Sequence, residues 1–429
     1  MSTPESLRRA PQLELFQNQE LERRGQSSKQ GTPPHRTPPG LKLIRRPLEG
    51  APAIVPHLRA RFPVAPRSIW ADVPAADWNS WQWQQRHRVT TLAQLEKVVH
   101  VSEDECEAIA RTQCDFQMAI TPYYAALMDA EDPRCPVRQQ SVPTTGELLI
   151  QPSDLEDPLG EEKDMPVPGL THRYPDRVLF YISHNCPVYC RHCTRKRKVA
   201  RPTSAAARKQ IDDGIGYIAR HPEVRDVVIS GGDPLSLSDE RLDEILGRLR
   251  RIPHVEIFRL GTRNLVTLPQ RITDDFVAML RKHQPVYVNT HFNHPRECTA
   301  EAFEAARKLA DAGVALGNQM VLLKGVNDDA RIVKDLNQKL LMMRIKPYYI
   351  YQCDLAKGIS HFRTPVDKGI EIIEALRGWT SGMAVPHFVI DAPCGGGKIP
   401  ILPEYVTRRE GKKIFLRNYR QQPYVYEEP

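Results

Sequence analysis

The chain has 429 residues, is 41% hydrophobic, carries a formal charge of +8 and contains nine cysteines. No run reaches the roughly 18 apolar residues that a membrane helix needs, and Met1-Ser-Thr-Pro-Glu lacks the charged-then-apolar pattern of a secretory signal. Scattered cysteines without such a signal point to a reduced, cytoplasmic setting, where a tight cysteine cluster indicates metal or catalysis.

Residues 1–70 hold 12 Lys and Arg against 5 Asp and Glu, so the remainder of the chain is close to neutral. A basic tail is not a basic patch on a folded body, and nucleic-acid binding is not expected. The same stretch holds 11 of the 37 prolines, including Pro33-Pro34 and Pro38-Pro39. That density disfavours helix and central strand, and it predicts an extended or disordered arm over 1–69. Trp70, Trp78, Trp81 and Trp83 then mark the start of a helical region over 70–170. Within it Thr91 to Val99 is amphipathic, and Ser102 with Glu105 reads as a capping box opening the next helix. The segment from Pro152 to Pro168 is acidic and proline-rich, as a connecting loop would be.

From 171 to 400 short β-branched runs alternate with helical stretches. Expected strands are Val178–Ser183, Asp226–Ser230, Glu256–Leu260, Val286–Thr290, Leu316–Leu322, Pro347–Gln352 and His387–Asp391. Helices are expected at Leu242–Arg251, Asp274–Arg281, Ala300–Ala312 and Asp367–Leu376, among others. This pattern is an α/β fold, a partial (β/α)6 TIM-type barrel, with chemistry expected at the C-terminal ends of its strands. Residues 401–429 form a separate C-terminal segment.

Just after the first expected strand comes Cys186-Pro-Val-Tyr-Cys190-Arg-His-Cys193. Four cysteines are the usual complement of a cubic iron–sulfur cluster, so three leave one iron open. S-adenosylmethionine (SAM) can chelate an open iron through its amino and carboxylate groups and be cleaved there to a radical. The competing reading is a structural zinc site that adds His192 or a distant ligand. The other six cysteines, Cys106, Cys114, Cys135, Cys298, Cys353 and Cys394, form no second cluster by spacing.

Ser230-Gly231-Gly232-Asp233-Pro234 follows the second strand, where glycines would let a ligand reach the backbone. A plain turn is the alternative. Near the end stands Asp391-Ala-Pro-Cys-Gly-Gly-Gly-Lys398, which departs from a P-loop at Ala392 and Ile399. It suits a turn that offers an amine to pyridoxal phosphate (PLP), with a solvated surface lysine as the alternative.

Together with Thr171-His-Arg-Tyr-Pro-Asp-Arg177, Asn289-Thr-His-Phe-Asn-His294, the run Tyr348–Asp354 and His361-Phe-Arg-Thr-Pro365, these motifs make the chain resemble the lysine 2,3-aminomutase family from about Trp70 onward. The resemblance implies a [4Fe–4S] cluster on Cys186, Cys190 and Cys193, with SAM and PLP as cofactors. It makes Lys398 the catalytic anchor of PLP, with Arg173, Tyr174, Arg177 and Tyr351 around that cofactor. Gly231, Gly232, Asp233, His192, His291 and Gln319 would contact SAM, although either histidine could instead be a core residue. Arg195 would pair with the substrate carboxylate, and Asp354 and Asp391 would grip its side-chain cation. The implied reaction moves an amino group from Cα to Cβ of a basic amino acid, L-lysine first and L-arginine as the alternative. A non-enzymatic zinc or nucleic-acid protein is the distant alternative, and it leaves Lys398 and the paired acids unexplained.

Implied partners are the small amino-acid substrate, a reducing donor of flavodoxin or ferredoxin type and, as a homo-oligomer, further copies of the chain. Two features depart from the family pattern, the zinc site and the turn before Lys398. The cysteine-rich tail that binds zinc in well-known members does not follow Tyr426-Glu-Glu-Pro429, and Asp329 replaces the cysteine expected from the partner. Zinc is therefore not expected. Cys394 stands where a glycine is expected.

Overall fold

The computed structural model describes residues 56–113, 116–199 and 208–429. Most of the expected arm over 1–69 and Cys114 lie outside the described residues. The anchored chain begins ahead of Trp70. Phe62 is buried against Phe303 with ring centroids 4.9 Å apart. The Ala300 N–H donates to the Pro63 carbonyl at 2.9 Å, and the Ala65 N–H donates to the Glu301 carboxylate.

The main sheet has nine strands in sequential order: β1 (Leu170–Tyr174), β2 (Arg177–Ser183), β3 (Asp226–Gly231), β4 (Ile257–Gly261), β5 (Val286–Thr290), β6 (Ala315–Leu322), β7 (Lys346–Gln352), β8 (His387–Ala392) and β9 (Gly397–Pro400). β2 to β8 run parallel, and β1 and β9 close the two edges antiparallel. Helices Arg208–Ala219, Asp239–Arg250, Asp274–Arg281, Ala300–Asp311, Ala330–Met342 and Val366–Leu376 follow β2 to β7 in turn. These are six β–α units of a partial barrel with β8 as a further parallel strand.

Parallel strands are covered on the outside by helices, which is why they read as apolar runs. Phe258 and Leu260 of β4 are fully buried, while the intervening Arg259 points into the barrel cavity. Thr273, Thr299 and Asp329 each cap a barrel helix by accepting a backbone N–H. Asp329 therefore has local work, starting Ala330–Met342 and pairing with Arg331 at 2.7 Å.

In the N-terminal region the Ser102–Glu105 capping box opens Glu103–Thr112. The amphipathic stretch from Thr91 is only one helical turn, Leu92–Leu95. Val98 and Val99 both donate to the Leu95 carbonyl, which tightens and ends the helix before the β-branched pair. The C-terminal segment forms a separate antiparallel sheet of β10 (Val406–Glu410), β11 (Lys413–Arg417) and β12 (Pro423–Glu427).

Candidate active site

One cavity of about 970 Å³ runs through the barrel, and all seventeen residues singled out from the sequence line it. They come from both sheet edges and from the C-terminal ends of the parallel strands.

Cys186, Cys190 and Cys193 occupy the loop after β2 as free, half-buried thiols. The Arg263 guanidinium donates to the Cys190 sulfur at 2.8 Å, and the Arg195 N–H donates to the Cys193 sulfur at 3.4 Å. Burial pushes the Cys186 thiol well up and the Cys193 thiol up to about 11. A positive centre is needed before such thiols become ligands. Among the described residues no three His, Cys, Asp or Glu side chains converge as a single ion requires. Three thiols on one loop at the cavity, two of them accepting from Arg263 and from the Arg195 N–H, are the donor set an iron–sulfur cluster uses.

The glycines after β3 line the cavity and also have a role in the fold that sequence alone did not show. Gly231 has φ +125°, and a Cβ on it would lie 2.2 Å from the Ser183 carbonyl oxygen. A Cβ on Gly232 would lie 2.7 Å from the Asn185 carbonyl oxygen. The Gly232 and Asp233 N–H groups donate to those same two carbonyls. What approaches the glycine backbone is the start of the cysteine loop, so the glycines place the triplet. Asp233 is equally committed: its carboxylate accepts from Thr262 Oγ1 and the N–H groups of Arg263 and Leu235.

The two histidines differ. His192 is buried, its Nδ1 has no partner among the described residues, and burial lowers its pKa well below the ordinary value. A neutral ring with an open nitrogen in a cavity is a ready ligand contact. His291 donates through Nδ1 to the Gln319 carbonyl at 2.8 Å, because a carbonyl can only accept. That fixes the tautomer and leaves Nε2 as acceptor, while burial depresses the ring pKa to about 4.

At the other rim β8 and β9 form a hairpin that pairs Asp391 with Lys398 directly across. Lys398 Nζ is 2.8 Å from Asp391 Oδ2 and 5.5 Å from the centre of the Tyr351 ring. The Lys398 N–H donates to the Tyr174 hydroxyl at 3.1 Å. The expected loop is thus a strand end after a tight turn, with Gly395 at φ +88°, Gly397 at φ +84° and Cys394 at φ +57°. Cys394 holds a left-handed conformation that glycine adopts without strain.

Asp354, just after β7, lies half-buried in the same cavity, and desolvation followed by the Asp391 charge raises its pKa to about 7. Arg363 is no partner for its carboxylate. Its side chain donates to the Asp354 carbonyl and forms its ion pair with Asp154. Arg177 lies 3.9 Å over the Tyr174 ring and pairs with exposed Asp176, while Arg173 is engaged by Asp164 and the Leu159 carbonyl. The Lys398 amine, the Tyr174 and Tyr351 rings and the arginines fit an aldehyde cofactor that carries a phosphate.

Arg195 bonds Glu161, which the sequence reading passed over as part of an acidic loop. Two other unforeseen participants are Arg263, which also bonds Gln140 and Glu297, and the buried Arg191–Glu147 pair beneath the cysteine loop. No local motif marks any of them.

Comparison with known proteins gives a consistent picture. The family model described as lysine-2,3-aminomutase matches residues 373–429, and that of the radical SAM superfamily matches residues 180–336. The L-lysine 2,3-aminomutase of Clostridium subterminale is 54% identical over 84% of this chain and 87% of its own length. That of Bacillus subtilis is 53% identical over 84% of this chain and 77% of its own. A glutamate 2,3-aminomutase of Clostridioides difficile is 48% identical over 80% of this chain and 81% of its own.

Proposed function

Because this chain belongs to the lysine 2,3-aminomutase family of radical SAM enzymes, we propose that it is an isomerase converting L-lysine to its β-amino isomer. The observation that carries lysine over glutamate is the half-buried pair of acids, Asp354 and Asp391, beside Lys398. In the structure Lys398 is the cation at Asp391. Once that amine is committed to a cofactor, two neighbouring carboxylates are left, and an acidic side chain would be repelled from them. A substrate ammonium relieves the repulsion. L-arginine offers the same charges and is the alternative substrate.

When bound, the [4Fe–4S] cluster and SAM supply a hydrogen-abstracting radical, and PLP supplies the π-bond across which nitrogen migrates. Cys186, Cys190 and Cys193 would hold the cluster. Gly231 and Gly232 offer backbone atoms to SAM, Asp233 braces their loop, and His192, His291 and Gln319 complete the contact surface. Lys398 would anchor PLP, with Arg173 and Arg177 for its phosphate and Tyr174 and Tyr351 beside its ring. Arg195 takes the substrate α-carboxylate. The chain's own contribution is to fix these partners relative to one another and to exclude water.

No helix among the described residues is long and apolar enough to cross a membrane. A cytoplasmic homo-oligomer served by a flavodoxin- or ferredoxin-type donor suits a chain with these groups. The test is an anaerobic assay offering lysine, arginine, ornithine and glutamate separately, with products resolved as α or β. Turnover of glutamate with none of lysine or arginine would overturn the reading.

A further inference from the structure

The carboxylate of Glu161 is buried, and the reaction outlined above gives it no part. It accepts from the Tyr181 hydroxyl at 2.6 Å, from Arg195 Nη2 at 2.7 Å and Nε at 3.0 Å, and from Lys198 Nζ at 3.4 Å. Burial alone would raise its pKa, but Arg195, Tyr181 and Lys198 bring it down to about 2. A buried charge with this many donors is fully compensated and geometrically fixed.

Glu161 sits on a strap that touches the cavity rim at the loops after β2 and β7, at the β8–β9 turn and at β1. The Leu155 N–H donates to the Leu355 carbonyl at 2.7 Å, next to Asp354. The Cys394 N–H donates to the Pro158 carbonyl at 3.1 Å, in the turn before Lys398. Asp157 pairs with Arg197 at 2.8 Å and Asp164 with Arg173 at 2.8 Å. Gly160, at φ +60°, allows this contact, since a Cβ there would lie 2.9 Å from the Cys394 carbonyl carbon.

We propose that Glu161 is a positioning residue that aims the Arg195 guanidinium at the substrate α-carboxylate, a role that rests on the aminomutase reading. Glu161 occupies the Nε and Nη2 edge of Arg195 and, among the described residues, Nη1 takes no acceptor. The free edge belongs to a side chain that lines the cavity. Charge count agrees. Arg195 and Lys198 share one carboxylate and leave a single net positive charge for a single incoming carboxylate. Without Glu161 the two cations, which both lie over the Tyr181 ring at 5.1 and 5.3 Å, would repel each other, and Arg195 would regain its rotamers.

The experiment compares the affinity of each amino acid with that of its own carboxamide, read from the change in PLP absorbance in the anaerobic holoenzyme. In Glu161→Gln the dissociation constant and KM for lysine should rise about tenfold or more, with kcat changed much less. Affinity for lysinamide should stay near that of the parent, so that the preference for carboxylate over amide collapses. Tyr181→Phe removes one bond to Glu161 and should move the same ratio the same way by a smaller factor. It serves if Glu161→Gln does not fold. Equal loss for acid and amide, or an unchanged ratio in both variants, overturns the proposal. The pairs are run for lysine, arginine, ornithine and glutamate, and the ratio is read on whichever binds. Failure of the functional reading shows instead as absent turnover of lysine and arginine by the parent enzyme.

Discussion

Lys398 and Asp391 face each other across the β8–β9 hairpin, with Nζ 2.8 Å from Oδ2, while the second Asp391 oxygen is buried without a partner among the described residues. The hairpin thus holds an amine and a carboxylate in register through its backbone pairing. An unpartnered buried carboxylate oxygen is costly in a folded protein and marks where a donor belongs.

The first prediction concerns that amine. Lys398→Ala should abolish PLP that borohydride can trap on the protein, while iron content and the visible spectrum of the cluster stay at parental levels. The hairpin should survive, because its pairing is between backbone groups. Covalent PLP on the variant, located by peptide mapping, would place the anchoring lysine elsewhere.

A second prediction separates the cysteines. Cys186→Ala, Cys190→Ala and Cys193→Ala should each lose the cluster and reductive SAM cleavage, with circular dichroism unchanged. Their loop is held by backbone bonds to Gln140 and Ala119 rather than by the thiols. Cys353→Ser and Cys394→Gly should retain both. The latter should also gain on the order of 1 kcal/mol in stability, measured by denaturant, from relief of the left-handed strain.

Much of the barrel was legible because buried parallel strands leave apolar runs. Val286–Thr290 is as expected, and the other parallel strands differ by at most a residue or two at either end. β1 was missed because Leu170-Thr-His-Arg-Tyr174 is a polar edge strand that turns cavity residues inward. β9 was missed because Gly397 and Pro400 bound only two strand-like residues. Lys398 was therefore read as sitting on a loop. Gly231 and Gly232 line the cavity, and the fold adds a second role invisible in the sequence: they let the start of the cysteine loop pack against their backbone. Glu161 was invisible because its partners, Tyr181 and Arg195, are 20 and 34 residues away and its local setting is simply acidic.

A third prediction follows from where anchoring begins. Deletion of residues 1–40 should leave activity largely unchanged, since that proline-rich stretch carries little apolar surface. Deletion of residues 1–69 should cost about 2 kcal/mol or more, because Phe62 is lost from its contact with Phe303. Melting temperatures of the two truncations decide it. Equal stability would show that the Phe62 contact is not anchoring.

The final prediction concerns the acids that choose the substrate. Burial and the Asp391 charge raise the Asp354 pKa to about 7 even with the Lys398 ammonium at Asp391, so Asp354 changes protonation in the neutral range. Only the ionised form attracts a substrate ammonium, so kcat/KM for lysine should climb as pH rises through about 7 and flatten above it. Asp354→Asn removes the titrating group, and this rising limb should vanish with it. Asp354→Asn or Asp391→Asn should also cost on the order of 2–4 kcal/mol in transition-state binding, as loss of one member of a buried charged contact does. PLP occupancy and SAM binding, measured alongside, should stay at parental levels. If Asp354→Asn keeps both the rate and the pH limb, the cation is recognised by other groups, and the case for a basic substrate loses its foundation.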